Sequence, residues 1–209
     1  MRWRKGPKFG LPQAERKLHA DNMKYYEVGD VMGTNSDIEK FATLDFEASS
    51  LSQDSWPIEV GLSWLVGGEV RTWSTLIRPA ADWELSDWAP QSAAVHGIAL
   101  EELEDAPVAY RVVDDLLECL GEKVLVSDAP EFETRWLTRL MMTGMQNAIP
   151  TIEDYHRVCF ACFSGLALDM LYEALERRPA PHRAGPDSAR LAHAWSDLKL
   201  PPWCSVIPG

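Results

Sequence analysis

Two carboxylates one residue apart, Asp45 and Glu47, sit in the stretch Thr43-Leu44-Asp45-Phe46-Glu47-Ala48. An apolar run beginning at Phe41 leads into them, and the polar stretch Ser49-Ser50-Leu51-Ser52 follows. On a strand, side chains two apart share a face. Asp45 and Glu47 therefore project together while Leu44 and Phe46 face the other way. Like charges that close are costly unless something neutralises them, most simply a divalent cation with oxygen ligands. The plain alternative is an exposed strand with two solvated acids. Two later groups weigh on the choice: Asp128 and Glu133, and then His182 and Asp187, five residues apart across a loop and a helix start.

The elements that must position these residues are legible in outline. After the Asp45 strand, Trp56-Pro57 opens a run from Ile58 to Val66, and Gly67-Gly68 turns it into Glu69-to-Ile77, a hairpin. Pro79 to Ala89 reads as a loop anchored by Trp83, Leu85 and Trp88, with His96 before Gly97 in a loop beyond it, where the residues alone read as fixing a turn rather than doing chemistry. From Val108, the spacing of Val112, Val113, Leu116, Leu117 and Leu120 predicts an amphipathic helix stopped by Gly121. Lys123-to-Val126 is expected as a short buried strand ending at Ser127-Asp128-Ala129-Pro130, and Phe132, Trp136, Leu137 and Leu140 mark a helix. Ile149 to Ile152 reads as an edge strand. Residues 163–177 and 187–198 have helical spacing, with a Pro-rich, basic loop from Arg177 to Pro186 between them. A hairpin followed by strands alternating with helices predicts an α/β domain on a mixed sheet.

Composition bounds the function. The 209 residues are 46% hydrophobic, enough for one domain with a substantial core. No apolar stretch approaches a membrane span and the N-terminus lacks a signal-peptide core. Cys119, Cys159, Cys162 and Cys204 are too scattered for a disulfide framework, so a reduced cytoplasmic protein is expected. A net charge of −12 argues against wrapping long duplex nucleic acid. It leaves room for gripping one strand end, because bound metal cancels charge locally. Residues 1–40 read as a basic extension carrying a short Gln13-to-Tyr26 helix, residues 41–200 as the functional domain, and 201–209 as a tail.

Asp45-x-Glu47, a helix-opening acid near residue 130 and His182-x4-Asp187, in that order, resemble the DEDD-type 3′-to-5′ exonucleases with a motif histidine, members of the ribonuclease H-like superfamily. The Gly-turned hairpin, His96-Gly97-Ile98 and Arg183 extend the resemblance over roughly residues 41–198. It implies a five-stranded mixed sheet flanked by helices, acting on single-stranded DNA or RNA 3′ ends and releasing nucleoside 5′-monophosphates. Asp45, Glu47 and Asp187 would hold two divalent ions, Mg²⁺ or Mn²⁺, for an in-line displacement, with Asp45 bridging. His182 would be the general base that takes the proton of the attacking water. Leu51 would wedge against the terminal base, and Phe46, Ala48 and His96 would contact substrate.

The second motif departs from the pattern. The family has Asn or similar at the strand end and Asp five residues on, where this chain has Asp128 and Glu133. By motif position Glu133 is expected to be the fourth carboxylate; Asp128 either supplies it instead or caps the helix. A catalytically weakened nucleic-acid-binding or scaffold protein on the same fold is therefore the rival reading, and a nuclease cutting internally a third. Other candidates are weaker. His156, Cys159 and Cys162 mimic part of a zinc site with no second Cys pair, and residues 156, 159, 163 and 166 fit one face of a buried helix. His193 and His19 have no partner in the pattern. Most of the nine tryptophans, among them Trp56, Trp64, Trp73 and Trp136, fall at core positions rather than as base-stacking platforms.

Overall fold

The computed structural model describes residues 38–144 and 148–198. The basic arm to residue 37, with its expected helix and His19, and the tail with Cys204 lie outside the described residues. Five strands form one sheet: β1 (Phe41–Ala48), β2 (Pro57–Val66), β3 (Glu69–Leu76), β4 (Val124–Ser127) and β5 (Ile152–Asp154), in the order β3-β2-β1-β4-β5. The hairpin strands are antiparallel, and β4 and β5 run parallel to β1. Among the described residues six α-helices flank it: α1 (Pro90–His96), α2 (Ala109–Leu120), α3 (Pro130–Thr143), α4 (Tyr155–Cys162), α5 (Gly165–Arg177) and α6 (Ala184–Ser196). The hairpin turns where expected, with φ of 59° at Gly67 and 81° at Gly68, a conformation open to glycine.

The alternation in β1 decides what each face of the sheet buries. Ala42, Leu44 and Phe46 join Val60 and Leu62 of β2 in a core with Val112, Val113 and Leu116 of α2 and Leu137 and Leu140 of α3. A second core gathers Val126, Tyr155, Leu168, Leu171, Leu191 and Trp195 from β4 and helices α4 to α6. The alternate residues of β1 meet their partners on β2 in three pairs, Thr43 with Ser63, Asp45 with Gly61 and Glu47 with Glu59. Helix α6 lies against this polar strip. Thr43 Oγ1 donates to the Ser188 carbonyl at 2.7 Å, and the Ser63 and Ser188 hydroxyls share a hydrogen bond of 2.9 Å. Gly61 makes the approach possible: a Cβ there would fall 2.1 Å from the Ala184 carbonyl oxygen.

Several boundaries differ from expectation for local reasons. Ile38 is buried, and Glu39 accepts a hydrogen bond from the Gly68 N–H. Leu85 is exposed and anchors nothing, whereas Trp83 stacks on Trp56. The segment before His96 is helix α1, not loop; Pro90 starts it and Gly97, at φ 68°, ends it. β5 lies three residues later than the Ile149 start expected for it. Helix α6 begins at Ala184, not Asp187, because Gly185 and Pro186 are tolerated in a first turn, where the N–H groups have no partner within the helix. Helix α4 stops at Cys162, so residues 163 and 166 do not continue its face.

Candidate active site

Two elements deliver three carboxylates to one place. Asp45 and Glu47 project from β1, and Asp187 comes from the first turn of α6. One carboxylate oxygen of each lies within 4.8 Å of the others, the one such convergence of His, Cys, Asp and Glu side chains among the described residues. They open onto a cavity of about 370 Å³ also lined by Phe46, Leu51, Asp128, Glu133, Trp136, His182 and Arg190.

Glu133 is buried in the first turn of α3, with the cluster rather than in solvent. Asp128 does not cap α3; Ala129 occupies that position without a side-chain bond. Instead Asp128 accepts from Arg190 Nη2 at 3.4 Å, and Arg190 also faces Asp187 at 3.8 Å, too long for a hydrogen bond. His182 is exposed on the loop before α6 with φ 57°, a conformation uncommon outside glycine. Leu51 is exposed on the rim, and Ser50 and Ser52 on either side of it donate to Asp87 at 2.7 and 2.9 Å. Its loop is held, so Leu51 is presented rather than free.

The structure brings Asp45, Glu47, Glu133, His182, Asp187 and Asp128 to one cavity with Phe46 and Leu51, but not Ala48 or His96. Ala48 is buried at a register shift at the end of β1. His96 is buried edge-on against Trp88, and its Nδ1 accepts from the Ile98 N–H at 3.0 Å. Its visible role is to close α1. Burial and the nearby Arg183 hold its pKa below the usual range. Sequence reasoning missed Glu59 and Arg190. The signal for Glu59 was an acid at the alternate position to Gly61 and Ser63 within an otherwise apolar run.

The site's electrostatics follow from crowding acids under cover. Burial, then the charges of Glu133, Glu47, Asp187 and Asp128, push the Asp45 carboxyl well above its usual range. Glu47 is pushed up to about 8 by burial, Asp187 and Glu59, against the opposing pull of Arg183. Burial, Asp128 and Glu47 raise Glu133, with the Phe46 N–H offsetting part of it. Asp187 is raised by burial despite the Arg183 N–H, which donates to it at 3.1 Å, and Arg190. Asp187 Oδ1 and Glu133 Oε2 are buried without a hydrogen-bond partner among the described residues. Orphaned acceptors beside mutually repelling carboxylates fit a hard divalent cation, whose ligands are oxygens. The His156–Cys159–Cys162 group does not gather as ligands: Cys159 accepts from Trp195 Nε1 at 3.3 Å, and His156 stacks on Tyr172.

Over residues 43–194 the sequence matches the RNase T exonuclease family. No curated protein matches it. The fold is similar to that of a 3′-exonuclease whose structure concerns 3′-end recognition of the histone mRNA stem-loop, with a TM-score of 0.56, 17% identity, and coverage of 76% of this chain and 80% of that one. It is also similar to E. coli exonuclease I in complex with a dA16 oligonucleotide, with a TM-score of 0.55, 14% identity, and coverage of 78% of this chain and 41% of that one. With that family match spanning both the Asp45 strand and the Asp187 helix, on a sheet of the same kind, the chain belongs to the DEDD-type exonucleases of the ribonuclease H-like superfamily.

Proposed function

We propose that the protein is a metal-dependent 3′-to-5′ exonuclease that hydrolyses the last phosphodiester bond of single-stranded DNA or RNA and releases nucleoside 5′-monophosphates. The observation that carries this is the convergence of Asp45, Glu47 and Asp187 within 4.8 Å beside His182. The three acids would hold two Mg²⁺ or Mn²⁺ ions, which would lower the pKa of water and stabilise the charge that builds on the leaving 3′-oxygen. His182 sits at the open edge of the cavity, where an imidazole can take a proton from an attacking water and pass it to bulk solvent. Glu133 takes the place of the fourth carboxylate, because it is buried with Asp45 and Glu47 while Asp128 is paired to Arg190. Leu51 stands where it can pack against the terminal base, and the Phe46 segment forms part of the floor.

The structures it resembles include one concerned with RNA and one holding DNA, so the test runs both sugars. Matched single-stranded DNA and RNA oligomers are incubated with Mg²⁺, Mn²⁺ or chelator, and the products are separated by chromatography. The expected result is nucleoside 5′-monophosphates with either metal and none with chelator. Binding of the oligomers without any product would favour the weakened, binding-only alternative.

A further inference from the structure

Glu59 is a buried acid that the proposed chemistry does not use. It lies on β2 directly opposite Glu47, with 4% of its surface exposed. A carboxylate in that position is costly unless fully paired, and this one is. Arg183 reaches it with both arms of the guanidinium, Nε to Oε2 at 2.9 Å and Nη2 to Oε1 at 2.8 Å. The Ala184 N–H donates to Oε2 at 2.9 Å. That second contact matters because α6 has no side-chain cap of its own. Glu59 supplies an acceptor, and a negative charge, to the helix start from a different strand.

The two residues that Glu59 grips directly follow His182. Arg183 is extended (φ −142°, ψ 132°) and Ala184 is the first residue of α6. His182 itself holds a positive φ of 57°. Such a conformation persists where the surroundings over-determine it. The fork geometry of an arginine–carboxylate pair fixes orientation as well as distance. We propose that Glu59 and Arg183 form a clamp that sets the position of His182 over the cavity, making Glu59 a positioning residue for the proton acceptor. The inference rests on the function proposed above for His182, and it adds a residue from outside the metal cluster.

Positioning and charge predict different readouts for Glu59→Gln. The amide is isosteric but turns a donor toward Arg183 or the Ala184 N–H, so the clamp opens. On charge alone, losing the negative group that faces Glu47 and leaving the Arg183 charge without its partner would weaken cation binding by the cluster. A residue that acts only through charge would lower the Mn²⁺-induced rise in Tm, which a positioning residue leaves in place.

The test is a double-mutant cycle of Glu59→Gln with His182→Ala, read as kcat and KM on a single-stranded oligomer with Mn²⁺. Glu59→Gln is expected to lower kcat by about 10- to 100-fold, as a displacement near 1 Å does. KM and the Mn²⁺-induced rise in Tm should stay close to those of the wild type. In the His182→Ala background the same change should cost nothing further. Arg183→Lys, which keeps the charge but not the fork, should reproduce the loss, and Glu59→Asp should restore part of it. A Glu59→Gln kcat within twofold of wild type, or an equal loss in both backgrounds, overturns the clamp. A second readout does not need activity. The His182 ring resonance, identified by its absence in His182→Ala, should move in Glu59→Gln while that of His193 stays. An inactive wild-type protein would sink the proposed function alone, whereas an unmoved His182 resonance would sink the clamp alone.

Discussion

At the scale of single residues, the site is a set of acids that the metal-free fold holds at a cost. Asp45, Glu47, Glu133 and Asp187 all have pKa values raised by burial, and Glu47 moves from 4.5 to about 8. A carboxyl whose folded pKa lies above its unfolded value makes the native state bind more protons in the interval between the two. Stability then falls as pH rises through that interval. The metal-free protein should therefore lose Tm between about pH 4.5 and about pH 8, and Glu47→Gln should flatten the fall. Saturating Mn²⁺ should remove most of the pH dependence by binding the native state alone. A metal-free Tm that is level across the interval would contradict this. The second-motif acids make a separate test. Glu133→Gln should cost more activity than Asp128→Asn, because Glu133 is buried with the cluster and Asp128 is paired to Arg190. Glu133→Asp should preserve or raise activity. Steady-state rates of the three variants with Mn²⁺ would decide it, and the reverse ranking would make Asp128 the fourth carboxylate.

At the scale of elements, the decisive object is the start of α6, which carries Asp187 and ends the His182 loop. It sits close because Gly61 has no Cβ to meet Ala184 and because Ser188, Ser63 and Thr43 satisfy one another beneath it. Gly61→Ala should force the helix outward. Overpacking costs about 1–3 kcal/mol, or roughly 3–10 °C in Tm for a domain of this size, and the Mn²⁺-induced shift should shrink with it. An unchanged melt with an unchanged shift would mean that α6 does not depend on that contact. Much of this level was legible beforehand. The period-two alternation placed Asp45 and Glu47 on one face of β1, Gly67-Gly68 marked the hairpin, and the Val112-to-Leu120 spacing marked α2. What escaped had physical reasons. Helix α1 is too short to show a period, and its stop signal, Gly97, also reads as a loop. The helix start at Ala184 was obscured by Gly185 and Pro186, residues that break helices everywhere except in the first turn. Glu59 and Arg190 act through partners 124 and 62 residues away, Arg183 and Asp128, and separations of that kind exist only in the folded chain.

At the scale of the molecule, a net charge of −12 surrounds a cluster of acids that could hold a cation, and under the proposed function phosphate would reach the site through that cation. No helix among the described residues is long and apolar enough to cross a membrane. The proposed function requires that this acidic cavity, once it holds metal, remove nucleotides from a 3′ end. The most direct measurement uses a single-stranded oligomer labelled at its 5′ end, with either a free or a blocked 3′-hydroxyl, treated with wild-type protein or Asp45→Asn in Mn²⁺. The wild type is expected to shorten the free strand one nucleotide at a time from the 3′ end, the block to stop it, and Asp45→Asn to leave both strands whole. Internal cuts, cleavage that ignores the block, or a ladder that survives Asp45→Asn would contradict it.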